Sequence, residues 1–324
     1  MSAAPPTTGP IEVVPGVYAI DATFQGAPLL TYVAKGEGWT LLDAGINSTP
    51  QERIFPALRA LGSDPSEIAL LVNTHAHHDH RGGNATVLAA SPGVTIAVPE
   101  REIGWAESSE RYLRQSQDGA FPGVFIPTEA AQQRVRDLAG DDVVVDRGLV
   151  DGDTLDVGDG TTLHAIATPG HSPGHLAFHD RERSLLYAGD AIQGEGVQFE
   201  GRKWLFPCYS DVETYAASLA RVEAVDAEIV CSAHYGVMGR ADVRGLMATS
   251  RAFMGELDAH LGALLNRSGT LDLADAVAAT LEAFPGYQDT VGVYTTVAAH
   301  LDHMVRRGSV RAAIVQRRKQ WQQS

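Results

Sequence analysis

Residues 74–80 read Thr74-His75-Ala76-His77-His78-Asp79-His80, which puts four imidazoles and one carboxylate within six positions. The whole chain has twelve histidines in 324 residues, so an even spread would place well under one in such a window. Imidazole nitrogen and carboxylate oxygen are ligands that zinc accepts at about 2.0–2.2 Å. The run directly follows Ile68–Val72, a short continuous apolar stretch that suits a strand covered on both faces. The spacing His75-x-His77 sets two rings on one side of an extended loop, and Asp79 and His80 turn onto the following face. One loop of this kind can serve two adjacent metals. Arg81-Gly82-Gly83-Asn84 then allows a tight exit into a helix. The competing reading is a solvated histidine-rich turn.

Three downstream positions argue against that competing reading. His171 lies in Thr168-Pro169-Gly170-His171-Ser172-Pro173-Gly174-His175. Asp190 closes the apolar run Leu185-Leu186-Tyr187-Ala188-Gly189, and His234 follows Ile229-Val230-Cys231-Ser232-Ala233. Active-site residues commonly sit on loops held by a rigid sheet in this way. Taken singly, each of the three reads as a turn residue or cap.

Apolar residues make up 44% and charged residues 20%, the balance of a globular chain rather than a fibrous or disordered one. The formal charge of −15 disfavours a phosphate backbone as partner. Two cysteines, Cys208 and Cys231, are too few for a disulfide scaffold. Met1 to Pro10 lacks the basic and apolar regions of a signal peptide, and no run of about 20 apolar residues occurs. The expected compartment is cytoplasmic, with no membrane contact.

Apolar patterning predicts strands at Val13–Ile20, Leu29–Val33, Trp39–Leu42, Ile68–Val72, Thr95–Val98, Val143–Val145, Thr162–Ala167, His175–Phe178, Ser184–Tyr187 and Glu228–Cys231. Helices are expected at Gln51–Leu61, Asn84–Ala90 and Tyr215–Val222. Residues 100–140, with Trp105, Tyr112, Phe121 and Phe125, read as an inserted lid or wall. From about Ala241 the pattern is helical, with stripes Leu261/Leu264/Leu265, Val277/Leu281/Phe284 and Val297/Leu301/Met304. This order implies an α+β core over 1–240 and a small helical region over 241–324.

The motif HxHxDH, then TPGHxPGH, then Gly-Asp after a strand, then a last histidine, resembles the metallo-β-lactamase superfamily over about residues 11–240. The resemblance implies an αββα sandwich with a dinuclear site on one edge. By position it gives His75, His77 and His171 to a first metal and Asp79, His80 and His234 to a second, with Asp190 bridging. The implied cofactor is two zinc ions, with iron or manganese as substitutes, sharing a hydroxide that attacks a carbonyl or phosphoryl centre. Asp79 would also orient that hydroxide. His78 reads as a spectator and His175 as a support for a ligand.

Within the superfamily the chain is most similar to the β-lactamase-like protein 2 group and the glyoxalase II-like branch. The stretch Gly189 to Gly196 and the winged-helix-like order of the C-terminal region carry that likeness. A glutamate where His77 stands would indicate a flavodiiron protein, and a cysteine at Asp190 a common zinc β-lactamase. Quorum-quenching lactonases place a tyrosine three residues after the bridging aspartate, where this chain has Gln193 and where Tyr209 or Tyr235 could substitute sterically. Glyoxalase II enzymes share the ligands, but their basic glutathione-binding pattern is not evident here. The last motif departs from Gly-His-Gly as Ala233-His234-Tyr235, so Tyr235 is expected beside the second metal, either as a donor to a developing oxyanion or as a group that narrows the site.

The expected activity is therefore hydrolysis of a small ester, thioester or lactone by a dinuclear zinc enzyme, acting on a small-molecule substrate, with a homodimer as an option. The first alternative is a metal-dependent endoribonuclease, drawn from the basic tail Arg306 to Lys319. The second is a mononuclear iron persulfide dioxygenase. Nucleic acid is disfavoured by the net charge, and the basic tail reads as a solvated helix end or a subunit contact.

Overall fold

The computed structural model describes residues 9–117, 120–315 and 318–323. Its first sheet has seven strands in chain order: β1 (Ile11–Val14), β2 (Val17–Asp21), β3 (Leu30–Lys35), β4 (Trp39–Leu42), β5 (Ile68–Val72), β6 (Thr95–Pro99) and β7 (Arg147–Leu149). β1 to β4 pair antiparallel, and β4 to β7 pair parallel. Parallel neighbours need crossovers. Residues 43–67 supply one with α1 (Phe55–Ala60). Residues 73–94 supply the next with α2 (His78–Arg81) and α3 (Asn84–Ala90). The crossover from β6 to β7 is the insert, with α4 (Ile103–Ala106), α5 (Ser109–Tyr112) and α6 (Glu129–Ala139).

The second sheet holds β8 (Thr154–Gly158), β9 (Thr161–Ala167), β10 (Leu176–Asp180), β11 (Leu185–Gly189), β12 (Ile229–Ser232) and β13 (Gly236–Gly239), adjacent in that order. Only β11 and β12 are parallel, and α7 (Val212–Val225) is their crossover. Tyr32, Leu42 and Val72 of the first sheet pack on Leu163, Phe178 and Tyr187 of the second. The Tyr32 hydroxyl donates to the Ser232 carbonyl at 2.7 Å and pins the sheets together. Phe55, Leu58 and Val87 cover the outer face of the first sheet. Tyr215 and Leu219 of α7, with Val243 and Met247 of α8 (Arg240–Ser268), cover that of the second. The layers are therefore helix, sheet, sheet, helix.

The remaining chain forms β14 (Thr270–Asp272), α9 (Leu273–Ala283), α10 (Val291–Arg306), β15 (Val310–Val315) and β16 (Arg318–Gln323). The three strands form an antiparallel sheet in the order β14-β16-β15. The region expected to be helical thus also carries a sheet. Trp321 of β16 is 2% exposed in a core with Leu261, Leu265, Val277, Val297 and Leu301. The tail is a paired hairpin rather than a solvated helix end, and Arg317 lies outside the described residues.

Two strand expectations shift. The strand near 143–145 forms instead at Arg147–Leu149, because Asp146 pairs first: its backbone and side chain both bond Ile96. Val143 plugs the first core while Val144 is 76% exposed. In β5, Ala69 is exposed, so that strand is not covered along its whole length.

Candidate metal centre

The sheet ends place the candidate ligands. β5 runs into the loop at 74–80, the turn between β9 and β10 carries His171, β11 delivers Asp190, and β12 delivers His234. Donor atoms of His75, His77 and His171 lie within 4.8 Å of one another, as do those of Asp79, His80 and His234. His75, His80 and Asp190 form a third such group between them. All seven residues expected at the site meet there.

Four of the five imidazoles are aimed by a hydrogen bond on the other nitrogen, the usual way in which ring orientation and tautomer are fixed. His171 Nδ1 donates to the Cys208 carbonyl at 2.9 Å, and His234 Nδ1 donates to the Pro28 carbonyl at 2.7 Å. His80 Nδ1 donates to Asp43 Oδ2 at 2.9 Å. Thr74 Oγ1 gives its one proton to Asp43 Oδ2, so His75 Nδ1 must donate to that hydroxyl oxygen, 3.1 Å away. The free Nε2 atoms of His75 and His80 are buried without a partner, as is Asp190 Oδ1. Buried polar atoms are normally bonded. Orphaned lone pairs facing one point therefore fit a bound cation.

The electrostatics agree. Burial holds His75 and His77 well below the ordinary imidazole value, which keeps their rings neutral and able to ligate. Burial also works against charge on His80, but Asp43, Asp190 and Asp79 outweigh it and hold that ring well above its usual value. Three carboxylates around one imidazole call for positive charge, and a divalent ion meets that need as well as a proton does. For Asp79, burial raises the carboxyl pKa, yet the His80, His78 and His234 rings carry it below the carboxylate range.

Two residues missed by sequence reasoning organise the loops. Asp43 accepts from Thr74 N at 2.8 Å as well as from Thr74 Oγ1 and His80. It follows a strand and has a φ of +60°, a left-handed position that only the structure reveals. Glu102 is completely buried at the start of the insert. It accepts from Ala76 N at 2.7 Å, Ser172 Oγ at 2.5 Å and Gly174 N at 2.6 Å, so it clamps both histidine loops. In sequence it stands among exposed charges with nothing to mark it. His175 supports a ligand as expected: its Nε2 accepts from Asp190 N at 3.0 Å, and its Nδ1 therefore donates to Thr168 Oγ1.

The structure differs on Tyr235. Its single hydroxyl proton is shared between the carbonyls of Gln193 and Gly196, so the side chain braces the loop after Asp190. Tyr209, which could have replaced the lactonase tyrosine, is likewise committed: its hydroxyl bonds His300 Nε2 at 2.8 Å. Gln193 bonds the Asp190 carbonyl and the Cys208 N–H. Cys208 itself is half-buried, and desolvation pushes its thiol up to about 12.

Of the wall aromatics, Trp105 stacks on the His77 ring at 6.4 Å and Tyr112 lies 5.7 Å from it. Phe121 and Phe125 meet Tyr294 of α10. Phe206 is core, packed on Phe253, while Trp204 stands edge-on to Tyr287. His78 faces Tyr112 rather than the cluster.

The molecule is an αββα sandwich with groups of His and Asp donors that could hold metal on one edge. Residues 25–234 match the metallo-β-lactamase superfamily, and the chain belongs to it. The uncharacterized protein YobT of Bacillus subtilis is 31% identical over 183 residues, covering 56% of this chain and 70% of that one. An acyl-coenzyme A thioesterase of Gallus gallus is 29% identical, over 55% of this chain and 60% of its own length. A hydroxyacylglutathione hydrolase of Rhodospirillum rubrum is 32% identical, over 45% of this chain and 43% of its own length. The crystal structure of a metallo-β-lactamase family protein from Thermus thermophilus superimposes with a TM-score of 0.75 at 22% identity, covering 97% of this chain and 100% of that one. That likeness is one of fold and includes the C-terminal region. The chain spans 60% and 43% of the length of the two named hydrolases, the relatives from Gallus gallus and Rhodospirillum rubrum. Among the described residues no helix is long and apolar enough to cross a membrane.

Proposed function

We propose that the chain is a dinuclear zinc hydrolase of acyl thioesters. The observation that carries the reading is Asp190. Its Oδ2 lies 3.3 Å from His171 Nε2 in the first donor set and 3.3 Å from His234 Nε2 in the second. One carboxylate oxygen thus touches both sets, which is what two ions a few ångströms apart require. Zinc held there supplies a Lewis acid for the thioester carbonyl and a water acidified towards neutral pH.

The rest is done by side chains. Asp79 has the most exposed of the clustered carboxylates, with its Oδ2 3.6 Å from His234 Nε2. It holds the attacking water and accepts its proton. Glu102 and Asp43 keep the two histidine loops in register. Trp105 and Tyr112 wall the His77 side and exclude bulk water. Hydrolysis consumes one water and yields a carboxylic acid and a thiol. The thioester class is supported by the names of the relatives from Gallus gallus and Rhodospirillum rubrum.

Two of the tail's six cations are committed within the chain, which weakens the nuclease alternative. Arg306 pairs with Asp211 at 2.8 Å and Lys319 with Asp302 at 2.6 Å, so these cations answer the chain's own acids. The complete second donor set weighs against a single iron. Elemental mass spectrometry on untagged protein, run beside thioester hydrolysis, tests the proposal. Two zinc ions per chain are expected, with turnover falling roughly 10²-fold or more in Asp79→Asn. One iron per chain, or undiminished turnover in that variant, overturns it.

A further inference from the structure

A cavity of about 560 Å³ lies between the insert and the first turn of α10, walled by Leu113, Phe125, Ala131, Val135, Val291 and Tyr294. Sites for small molecules are mostly apolar and of about this volume. Two of its walls lead to the metal centre. Leu113 directly follows Tyr112, whose ring lies 5.7 Å from that of His77. Val291 directly precedes Gly292, where an added Cβ would lie 3.5 Å from Cys208 Cβ. The Cys208 carbonyl is the group that aims His171. The cavity is thus built on the insert and α10, two elements that also reach the groups beside His77 and His171. Phe125 and Tyr294 close together with ring centroids 5.0 Å apart. Among the described residues the lining contains no lysine, arginine or histidine, and its one acid is Asp289.

We infer that this cavity takes the apolar acyl chain of the substrate, placing that chain beyond His77 and His171 and leaving the thiol portion towards Asp79 and His234. The inference rests on the thioesterase reading and adds the substrate class: acyl groups of medium length or longer, uncharged along the chain. The absence of cations in the lining excludes a phosphate or carboxylate end from this pocket. Burial of each methylene contributes about 0.8 kcal/mol, or roughly a fourfold gain in kcat/KM per methylene while the chain is entering the pocket.

The test uses S-acyl-N-acetylcysteamine thioesters from acetyl to dodecanoyl, and calorimetric titration of decanoate, a product-like fatty acid, into the same protein. Ala131 is exposed on α6 and outside the metal centre, so Ala131→Trp fills the cavity without disturbing the core. Val291→Phe narrows it from the opposite wall. Wild-type kcat/KM is expected to climb by roughly 10²-fold or more from acetyl to octanoyl. In both variants that climb should vanish, with acetyl turnover unchanged and decanoate binding lost. A flat chain-length profile overturns the inference, as does a climb that survives both substitutions. Decanoate binding that is abolished by Ala131→Trp, in a protein that cleaves no thioester, would support the cavity as an acyl site and overturn the thioesterase reading instead.

Discussion

Replacing Glu102 by glutamine keeps the side chain's shape and removes half of its accepting capacity. In the native protein Oε1 accepts from Ser172 Oγ and Gly174 N, and Oε2 accepts from Ala76 N. If the amide oxygen keeps the two-donor position, the new NH₂ faces the Ala76 N–H, donor against donor. An orphaned buried donor costs about 1–3 kcal/mol, and the other two bonds lose charge assistance worth about 1 kcal/mol each. The gross loss is about 3–5 kcal/mol. Against it stands the relief of removing a buried charge, since burial already pushes the Glu102 carboxyl above its usual value in spite of three donors. A net loss of about 2–3 kcal/mol follows.

The bonds go to Ala76, between His75 and His77, and to residues beside His171. The loss should therefore appear in metal affinity as well as in stability. Partners that orient ligands typically carry 10–100-fold in affinity. The assay is chelator competition with metal read by mass spectrometry, together with thermal melts of loaded and stripped protein. Glu102→Gln should weaken retention by roughly 10–100-fold and narrow the gap between the two melts. Equal lowering of both melts with wild-type metal retention would refute the clamp and leave Glu102 a packing residue.

Gly189 has a φ of +49°, and a Cβ there would lie 2.7 Å from Thr74 Oγ1 and 3.0 Å from His175 Nε2. Gly189→Ala is thus expected to cost at least the 1–2 kcal/mol of a left-handed alanine and to displace Asp190, read as a lower melting temperature and loss of metal. Tyr235→Phe removes bonds to two backbone carbonyls worth about 1 kcal/mol and should lower stability while leaving kcat within a few-fold. A fall of roughly 10–10³-fold in kcat at full metal content would restore the oxyanion role that the sequence suggests.

The donor set was legible because ligand chemistry is written in residue types. Histidines and aspartates at strand ends carry the same meaning before and after folding. The supports were not, because their identity depends on distance along the chain. Glu102 acts on residues 26 and 70 or more positions away, through a carboxylate that sequence cannot tell from its exposed neighbours. Tyr235 shows the reverse error. Its place next to His234 invited a chemical role, but a side chain's neighbours in space differ from its neighbours in sequence. The C-terminal strands were hidden for a related reason. The three-residue β14 is too short for an alternating pattern, and β16 carries Arg318 to Gln323, where Trp321 is the only apolar residue.

The C-terminal region is tied to the metal centre by more than covalent linkage. Thr296 of α10 donates to the Pro207 carbonyl at 2.7 Å and accepts from Tyr209 N at 3.1 Å. His300, one turn on, bonds the Tyr209 hydroxyl, and its Nδ1 donates to Asp258 of α8 at 2.5 Å. Tyr209 in turn stacks on Tyr215 of α7 with centroids 4.4 Å apart and planes 4° from parallel. The short segment 207–209 is thereby held from both sides, and its middle residue offers the carbonyl that aims His171. Here α10 supplies the bonds that fix a ligand's partner, and it also supplies Val291 and Tyr294 to the cavity at the insert. By these contacts the C-terminal region supports the segment whose Cys208 carbonyl aims His171.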